Sequence, residues 1–171
     1  RQRRRAEGKI TDVRDGIIAD RLVALGRHGL KAGAGFYRYA EGSRAPLPDA
    51  QVQQLIEAQS AALGIKRRVI SDEEIVQRCI YPLINEGFKI LEEGMALRAG
   101  DIDVVWVNGY GFPRYRGGPM CYAEETGLAN VLATLQKFCV TLGEEYWKPA
   151  ALLHALVAEN SSVADFQRPG N

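Results

Sequence analysis

The most regular pattern of apolar and polar positions in this chain predicts a long, centrally packed helix. It opens at Ser71-Asp72-Glu73-Glu74, a capping box in which the Ser71 hydroxyl accepts an early backbone N–H while the Glu74 side chain reaches back. Pro82 should kink this helix because proline has no N–H to donate. The apolar stripe also contains glycines, which indicate that another helix passes close by. The positions that share the stripe are Val76, Ile80, Leu83, Gly87, Ile90, Leu91 and Gly94.

The first third of the chain predicts two further helices joined by a glycine-rich turn. Residues 20–25 have a helical pattern that ends at a glycine. Residues 28–39 are punctuated by glycines and then alternate aromatic with polar residues, which predicts a turn followed by a short extended piece. Residues 40–48 read as a linker. Asp49 then caps a helix that stops at Gly64.

The last third predicts short helices separated by glycine-rich segments. Asp101 caps a helix that runs to about Val107, and residues 108–119 form a loop with four glycines and two prolines. Pro119 suits the first position of the next helix, and a frayed tail should follow Asn160. Strand patterns are nearly absent, so the predicted class is all-α. The remaining helices are predicted at about 119–126, 128–139 and 149–158.

The composition is that of a globular protein with a sizeable core. Hydrophobic residues make up 46% of the chain and charged residues 25%, which excludes a disordered or fibrous class. No apolar stretch approaches the ~20 residues that a membrane helix needs. The formal charge of +1 is too balanced to indicate a polyanion partner for the body of the chain, which argues against a nucleic-acid binder. The one basic run comprises Arg1, Arg3, Arg4 and Arg5.

The cysteines and the chain ends bear on the expected compartment. Cys79, Cys121 and Cys139 are odd in number and widely spaced, which favours reduced thiols over a disulfide scaffold. The last residues, Arg168-Pro169-Gly170-Asn171, contain no peroxisomal tripeptide. We therefore expect a cytoplasmic location. The chain also opens without Met and with what looks like the end of a larger unit, so we interpret it as a fragment.

The sequence contains no motif that identifies an active site. The segment from Val104 to Gly111 imitates the start of a dinucleotide-binding fingerprint, but Arg114 occupies the position of the third glycine. Gly33-Ala34-Gly35 fails in the same way. The histidines, His28 and His154, show no spacing typical of a catalytic or metal site. The sequence therefore predicts no catalytic, cofactor-binding or metal-binding residue.

Two polar residues in the middle of the long helix need partners. Asn85 and Glu86 lie near Pro82, where a buried polar group requires a hydrogen bond. We interpret them as a hydrogen-bonded link to the loop at 108–119, with a catalytic role as the alternative. The adjacent acidic pairs point away from each other on a helix, and we interpret them as solvated helix faces. These pairs are Glu92-Glu93, Glu124-Glu125 and Glu144-Glu145.

An ordered set of short motifs supplies the strongest functional signal. Residues 25–37 read Leu-Gly-Arg-His-Gly-Leu-Lys-Ala-Gly-Ala-Gly-Phe-Tyr, and a second set follows between residue 71 and about residue 140. The second set comprises Asn85-Glu86-Gly87, Leu91-Glu92-Glu93-Gly94, Asp101-Ile102-Asp103, Gly109-Tyr110-Gly111-Phe112-Pro113, Gly117-Gly118-Pro119 and Gly127-Leu128. In this order they resemble the C-terminal helical module of 3-hydroxyacyl-CoA dehydrogenases. The resemblance is to multifunctional fatty-acid β-oxidation enzymes, which carry the module twice.

This resemblance implies an all-α fold of the 3-hydroxyacyl-CoA dehydrogenase C-terminal type, also described as 6-phosphogluconate dehydrogenase C-terminal-like. In that family a separate nucleotide-binding domain carries NAD and a His–Glu pair, so this chain is expected to hold no cofactor itself. The active copy of the module contributes an Asn from an Asn-Arg pair. The matching pair here is Gln77-Arg78, and because glutamine is one methylene longer, the catalytic role does not carry over.

The resemblance also implies a domain organisation and a role. Residues 1–48 would be the remnant of a first helical module with its linker, and residues 49–171 the second module. The chain would be the C-terminal fragment of an enzyme that combines 3-hydroxyacyl-CoA dehydrogenase with enoyl-CoA hydratase. We expect it to brace the acyl-CoA cleft of the parent and to be inactive alone.

The expected partners follow from that role. They are the missing nucleotide-binding and first helical modules and, for the detached fragment, a second copy in a homodimer that buries the exposed apolar surface. The alternative is a free-standing interaction module that binds acyl-CoA or a partner protein through the loop at 108–119. Residues expected to line or support the cleft are Asn85, Glu86, Gly109, Gly111, Phe112, Pro113, Gly117, Gly118 and Pro119.

Overall fold

The computed structural model describes Arg14 and residues 16–166, and these residues confirm the predicted all-α class. They form eight α-helices and three short 3-10 turns, and within them β-pairing is limited to three isolated bridges. The chain divides between Val69 and Ile70 into two units. The division predicted after residue 48 therefore lies inside the first unit. Among the described residues, no helix has the length and apolar character needed to cross a bilayer.

The first unit contains two helices around a glycine-rich turn, as the sequence predicts. Helix α1 is Ile17–Ala24 and helix α2 is Ala50–Ala62, with a 3-10 turn at Leu30–Ala32 between them. The turn and the extended piece are held by isolated antiparallel bridges that join Gly29 to Ala34, Ala34 to Arg38 and Arg38 to Leu47. Gly35 is buried in this turn, and a Cβ at that position would lie 2.8 Å from the Cα of Gly29.

Asp49 caps α2, as predicted, and also anchors the turn. Its carboxylate accepts a bond from the Gln51 backbone N–H at 2.9 Å and a second bond from the Arg27 guanidinium at 2.5 Å. Arg27 in turn donates to the Gly35 carbonyl at 3.0 Å. The hydrogen bond from Arg27 lowers the pKa of Asp49 below its ordinary value. One arginine thus ties the start of α2 to the glycine turn.

The second unit is a bundle of helices packed on a long central helix. Its core is formed by apolar side chains with no more than 1% exposure, among them Phe88 of the central helix, Met120 and Leu135. Burial of this kind is the main favourable contribution to folding. The helices are α3 at Asp72–Glu93, α4 at Ala99–Gly109, α5 at Pro119–Thr126, α6 at Leu128–Leu142, α7 at Glu144–Trp147 and α8 at Ala151–Glu159, with 3-10 turns at Arg114–Arg116 and Val163–Asp165.

Helix α3 confirms the main features of the sequence pattern. The Ser71 hydroxyl accepts the Glu74 backbone N–H at 3.2 Å, so the predicted cap is present. At Gly87 a Cβ would meet the sulfur of Met120 at 2.4 Å, which confirms that another helix, α5, passes close by. Gly94 has a different role, because it ends α3 in the left-handed conformation at φ 70°. Pro82 lies inside α3, and the kink stays a prediction.

Three sequence predictions about the second unit are wrong in detail. Asp101 is not the cap of α4: Arg98 holds that position, and the Asp101 carboxylate accepts the Arg98 backbone N–H at 3.2 Å from inside the first turn. Helix α6 continues to Leu142, and α7 follows as a separate element. The tail after Asn160 is not frayed over residues 161–166, because Val163 is buried in the core. Residues 167–171 lie outside the described part.

Candidate functional site

The junction between α4 and α5 brings together two of the motifs found in the sequence. Gly118 precedes α5 and has no side chain with which to cap it. Asp103 of α4 supplies the cap instead, because its carboxylate accepts the backbone N–H of Met120 at 2.7 Å and that of Cys121 at 3.1 Å. A carboxylate at this position satisfies unpaired N–H groups and interacts favourably with the helix dipole. The Asp101-Ile102-Asp103 and Gly117-Gly118-Pro119 motifs therefore meet at the junction between α4 and α5.

The glycines of this junction are required by the same contact. Gly118 has φ 120°, and a Cβ there would lie 2.3 Å from Oδ1 of Asp103. Gly117 has φ 72°, and a Cβ there would lie 2.6 Å from the sulfur of Cys121. Pro119 occupies the first position of α5, as predicted. Burial raises the pKa of Asp103, while the two backbone N–H bonds act in the opposite direction.

A groove of about 620 Å³ lies beside this junction, between α4, α5 and the C-terminal 3-10 turn. The charged side chains that line the groove form ion pairs or hydrogen bonds with neighbouring groups of the protein. Asp101 pairs with Arg98 at 2.7 Å, and Glu124 accepts bonds from the Ser162 hydroxyl at 2.8 Å and from the Val163 backbone N–H. What remains for a partner is mainly apolar. The apolar residues of the groove include Ala99, Val104, Met120, Val163, Ala164 and Phe166.

Asn85 is buried and links α3 to the start of α8. Its amide donates to the Lys148 carbonyl at 2.8 Å, and its oxygen accepts the Ala150 backbone N–H at 2.8 Å. The prediction of an inter-element hydrogen bond is confirmed, but the predicted partner, the loop at 108–119, is wrong. Glu86, the neighbouring candidate, is exposed and pairs with Lys89 at 3.5 Å. The two candidates therefore do not form a common site.

The loop after α4 is ordered by backbone contacts and exposes large side chains. Gly109 ends α4, Gly111 has φ 74°, and the Phe112 backbone N–H donates to the Trp106 carbonyl at 3.0 Å. Phe112 is buried, whereas Pro113 is exposed. The Arg116 guanidinium lies 5.5 Å from the ring centroids of both Tyr115 and Tyr122, and it also pairs with Glu125 at 3.3 Å.

Two carboxylates that cap distant helical elements were not predicted from the sequence. Glu92 accepts the Leu152 backbone N–H at the start of α8, and Glu124 caps the 3-10 turn at Val163–Asp165. The interpretation of the acidic pairs as solvated helix faces is therefore wrong for Glu124, which is half-buried, whereas Glu92 is exposed as expected and also caps a helix. No local signal could have found them, because their partners lie far away along the chain. Within the described residues, no group of three or more His, Cys, Asp or Glu side chains is placed to hold a metal ion.

Gln77 and Arg78, the pair that the resemblance matches to an Asn-Arg pair, lie half-buried on α3. Gln77 donates to Glu73 at 3.1 Å, and Arg78 pairs with Glu74 at 3.8 Å. Both side chains are thus engaged with the first turn of their own helix.

The fold and the junction together define a helical packing domain, in which long-range caps hold the helices beside an apolar groove. The chain belongs to the family described as 3-hydroxyacyl-CoA dehydrogenase, C-terminal domain, whose model matches residues 75–164. That match begins in the first turn of α3 and ends in the C-terminal 3-10 turn. It therefore coincides with the helical body of the second unit.

The relatives of this chain are multifunctional enzymes. It is 43% identical over 146 residues to the peroxisomal bifunctional enzyme of Danio rerio, covering 84% of this chain and 20% of that protein. It is 46% identical over 122 residues to the peroxisomal bifunctional enzyme of Homo sapiens, covering 71% of this chain and 17% of that protein. The chain thus spans about a fifth of the length of these relatives. The family predicted from the sequence motifs is confirmed.

One solved structure shows the same fold. The dehydrogenase part of multifunctional enzyme 1 from C. elegans matches with a TM-score of 0.61 and 22% identity, over 90% of this chain and 34% of that chain. At this identity the likeness supports the fold alone.

The predicted cytoplasmic location is wrong. The relatives from Danio rerio and Homo sapiens are named peroxisomal, as is the fatty acid beta-oxidation multifunctional protein AIM1 of Arabidopsis thaliana, which is 34% identical over 140 residues. The terminal residues on which the prediction rested carry no weight, because the chain spans only a fifth of these proteins.

Proposed function

We propose that this chain forms the C-terminal helical part of the 3-hydroxyacyl-CoA dehydrogenase within a multifunctional fatty-acid β-oxidation enzyme. The observation that carries the proposal is the family match over residues 75–164, which coincides with the helical body of the second unit. Its reaction would be the oxidation of 3-hydroxyacyl-CoA to 3-ketoacyl-CoA, and its compartment, by its relatives, the peroxisome. Residues 1–48 would be the end of a first helical module.

In this proposal the second unit has a bracing role. Catalysis needs the substrate and the cofactor to be held in a fixed relative position, and a rigid neighbouring domain contributes to that. Two connections make this unit rigid: the Asp103 cap joins α4 to α5, and Asn85 joins α3 to the segment before α8. Together they lock four of its helices by hydrogen bonds between residues distant in sequence.

NAD would be bound by the nucleotide-binding domain of the parent. The glycines at 109–111 do not fit a pyrophosphate, because they follow the C-terminal end of α4, where carbonyls rather than N–H groups are free. Gly33 and Gly35 lie in a bridged turn that no helix follows before Ala50, so they do not form the strand-to-helix turn of a dinucleotide-binding domain. We therefore propose that the chain alone does not hold NAD for hydride transfer and has no dehydrogenase activity.

The test is a 3-ketoacyl-CoA reduction assay with NADH. It compares this purified chain with the same chain extended upstream to include the nucleotide-binding domain. We expect no turnover from the first and turnover from the second. Turnover by the chain alone would contradict the bracing role. Inactivity of a folded extended enzyme would contradict the assignment to the dehydrogenase reaction.

Exposed apolar residues on α4 support the proposal that the detached chain forms a homodimer. Val104 and Val105 lie on the outward face of the helix with 62% and 55% exposure, where an amphipathic helix ordinarily carries polar residues. In the parent this face would be available to the missing modules, and in the fragment to a second copy.

One observation favours the alternative, a module that binds acyl-CoA or a partner protein. Tyr110 and Tyr115 of the loop after α4 are 70% and 84% exposed. Tyrosines beside arginines such as Arg114 are typical of interaction surfaces. Loss of ligand binding on substitution of Arg114 would support this alternative.

A further inference from the structure

The two units of this chain carry net charges of opposite sign, although the total charge is near neutral. Residues 1–69 carry 14 Lys and Arg against 7 Asp and Glu, whereas residues 70–171 carry 8 against 14. The first unit is therefore strongly basic and the second strongly acidic. A basic surface raises the local concentration of anionic ligands and speeds their association. Any anion that this chain binds through charge is thus expected at the first unit.

The basic first unit contains a cleft whose lining includes exposed arginines. Two neighbouring depressions of about 690 and 310 Å³ share Gly33, Tyr39 and Ala40, and we name them together the Tyr39 cleft. Arg38 lines the larger depression and Arg44 the smaller one. Tyr39 lines both depressions.

The cations of the Tyr39 cleft are available to a ligand. In the larger depression, Asp49 forms its short ion pair with Arg27. Arg38 forms a longer ion pair with Asp49, at 3.8 Å, and 61% of the Arg38 side chain is exposed. Among the described residues, Arg44 makes no ion pair, and the acidic residue of its depression is Glu41. A guanidinium that is exposed and weakly paired can bind phosphate oxygens through two parallel N–H bonds.

The cleft also offers aromatic surface and bare backbone. Tyr39 is the aromatic residue of the cleft; it is half-buried, and its backbone N–H donates to the Gly33 carbonyl at 2.8 Å. The cleft wall has no side chain at Gly33 and Gly42. Both glycines adopt left-handed φ values, 69° and 73°, which other residues rarely adopt. Aromatic rings of this kind stack on the faces of nucleobases.

We propose that the Tyr39 cleft binds a ligand that carries phosphates on an adenosine, the chemistry of the nucleotide end of coenzyme A. Arg38 of the larger depression and Arg44 of the smaller one bind the phosphates, and Tyr39, which lines both depressions, contacts the base. The choice of coenzyme A over other nucleotides rests on the proposed function, in which the parent acts on an acyl-CoA. The cleft would then hold the polar end of the substrate at the first unit.

Isothermal titration calorimetry of the full chain tests this proposal with four probes. Coenzyme A and adenosine bisphosphate should bind with similar affinity, and pantetheine, which has no phosphate, should not bind. Tripolyphosphate measures attraction by charge alone and should bind at least about tenfold more weakly than adenosine bisphosphate, since it lacks a base that stacks. Equal affinity for tripolyphosphate and adenosine bisphosphate would overturn the proposal.

Variants locate the site. Arg44→Gln and Arg38→Gln should each weaken adenosine bisphosphate binding about tenfold, the loss expected for one charge-assisted contact. Lys66→Gln removes an exposed charge of the same unit outside the cleft and should leave the affinity within about twofold. Arg44→Gln touches no described partner, so it remains informative even if Arg38→Gln disturbs Asp49.

Each contrary result has a distinct meaning. An equal effect of Lys66→Gln would show general attraction to a basic surface, and loss on Arg114→Gln would move the site to the second unit. Either result, or no binding of any probe, would overturn the Tyr39 cleft as a nucleotide site. These outcomes are separate from the dehydrogenase assay, because an inactive extended enzyme with normal nucleotide binding would contradict only the proposed function.

Discussion

Substitution of Gly118 by alanine should destabilise the second unit because two separate effects add at this position. The backbone at φ 120° lies in a region that only glycine adopts without strain. The added Cβ would also lie 2.3 Å from Oδ1 and 2.4 Å from Cβ of Asp103, which is too close for either atom to remain. Asp103 must then move and release the N–H groups of Met120 and Cys121.

The expected magnitude follows from these two effects. The backbone strain costs about 1 to 3 kcal/mol. Loss of the carboxylate cap costs about 0.5 to 2 kcal/mol. The free energy of unfolding should therefore fall by about 1.5 to 5 kcal/mol, a large part of the stability of a small domain. Gly100→Ala is the matched control, because no atom lies within 4 Å of its Cβ position and alanine favours a helix.

Tryptophan fluorescence during denaturant unfolding measures this effect in the second unit alone. The chain has two tryptophans, Trp106 and Trp147, and both lie after residue 69. A double-mutant cycle with Asp103→Ala separates the contributions. In the Asp103→Ala background, Gly118→Ala should cost only its backbone strain, because the carboxylate whose cap would be lost is already gone. An equal cost in both backgrounds would refute the role assigned to the Asp103 contact.

Three further predictions concern the other contacts. Asn85→Leu should lower the free energy of unfolding of the second unit by about 2 to 4 kcal/mol, because the buried Ala150 N–H and the partly buried Lys148 carbonyl lose their partner. The exposed Asn130→Leu should change it by less than about 0.5 kcal/mol, and similar values for both would contradict the Asn85 link. Asp49 has a lowered pKa in the folded chain, so its contribution to stability is present above its ordinary pKa and is lost as pH falls through the folded value. Far-UV circular dichroism in acid should show this loss, and Asp49→Asn should remove that pH dependence. Sedimentation velocity should show that Val105→Glu abolishes self-association while Val140→Glu, at another exposed valine, does not. A monomer at all concentrations in the unsubstituted chain would contradict the homodimer.

The sequence predicted those elements whose signals are local. The caps at Ser71 and Asp49 and the proline at the start of α5 involve residues that are neighbours in the chain, and the structure confirms all three. Gly87 is a tertiary contact that was predicted correctly, because a glycine on an apolar stripe weakens its own helix and is typical of places where a second helix packs closely.

Contacts between distant residues could not be predicted in the same way. Asp103 looked like part of a motif, yet its role depends on N–H groups that folding brings to it from α5. The sequence predicted that Asn85 needs a partner, but it does not specify which distant segment supplies one, and the predicted loop at 108–119 is not the partner. Arg98 in place of Asp101 as the cap residue of α4 shows that helix ends depend on context within one turn.

Purification of separate units should be straightforward because of the segment that joins α2 to α3. Lys66-Arg67-Arg68 lie there outside any helix and exposed, which is the arrangement that trypsin cleaves first. One cut at this point releases a basic piece and an acidic piece. At neutral pH a cation exchanger would retain the first and an anion exchanger the second, so ordinary chromatography would resolve a polypeptide whose intact form carries almost no net charge.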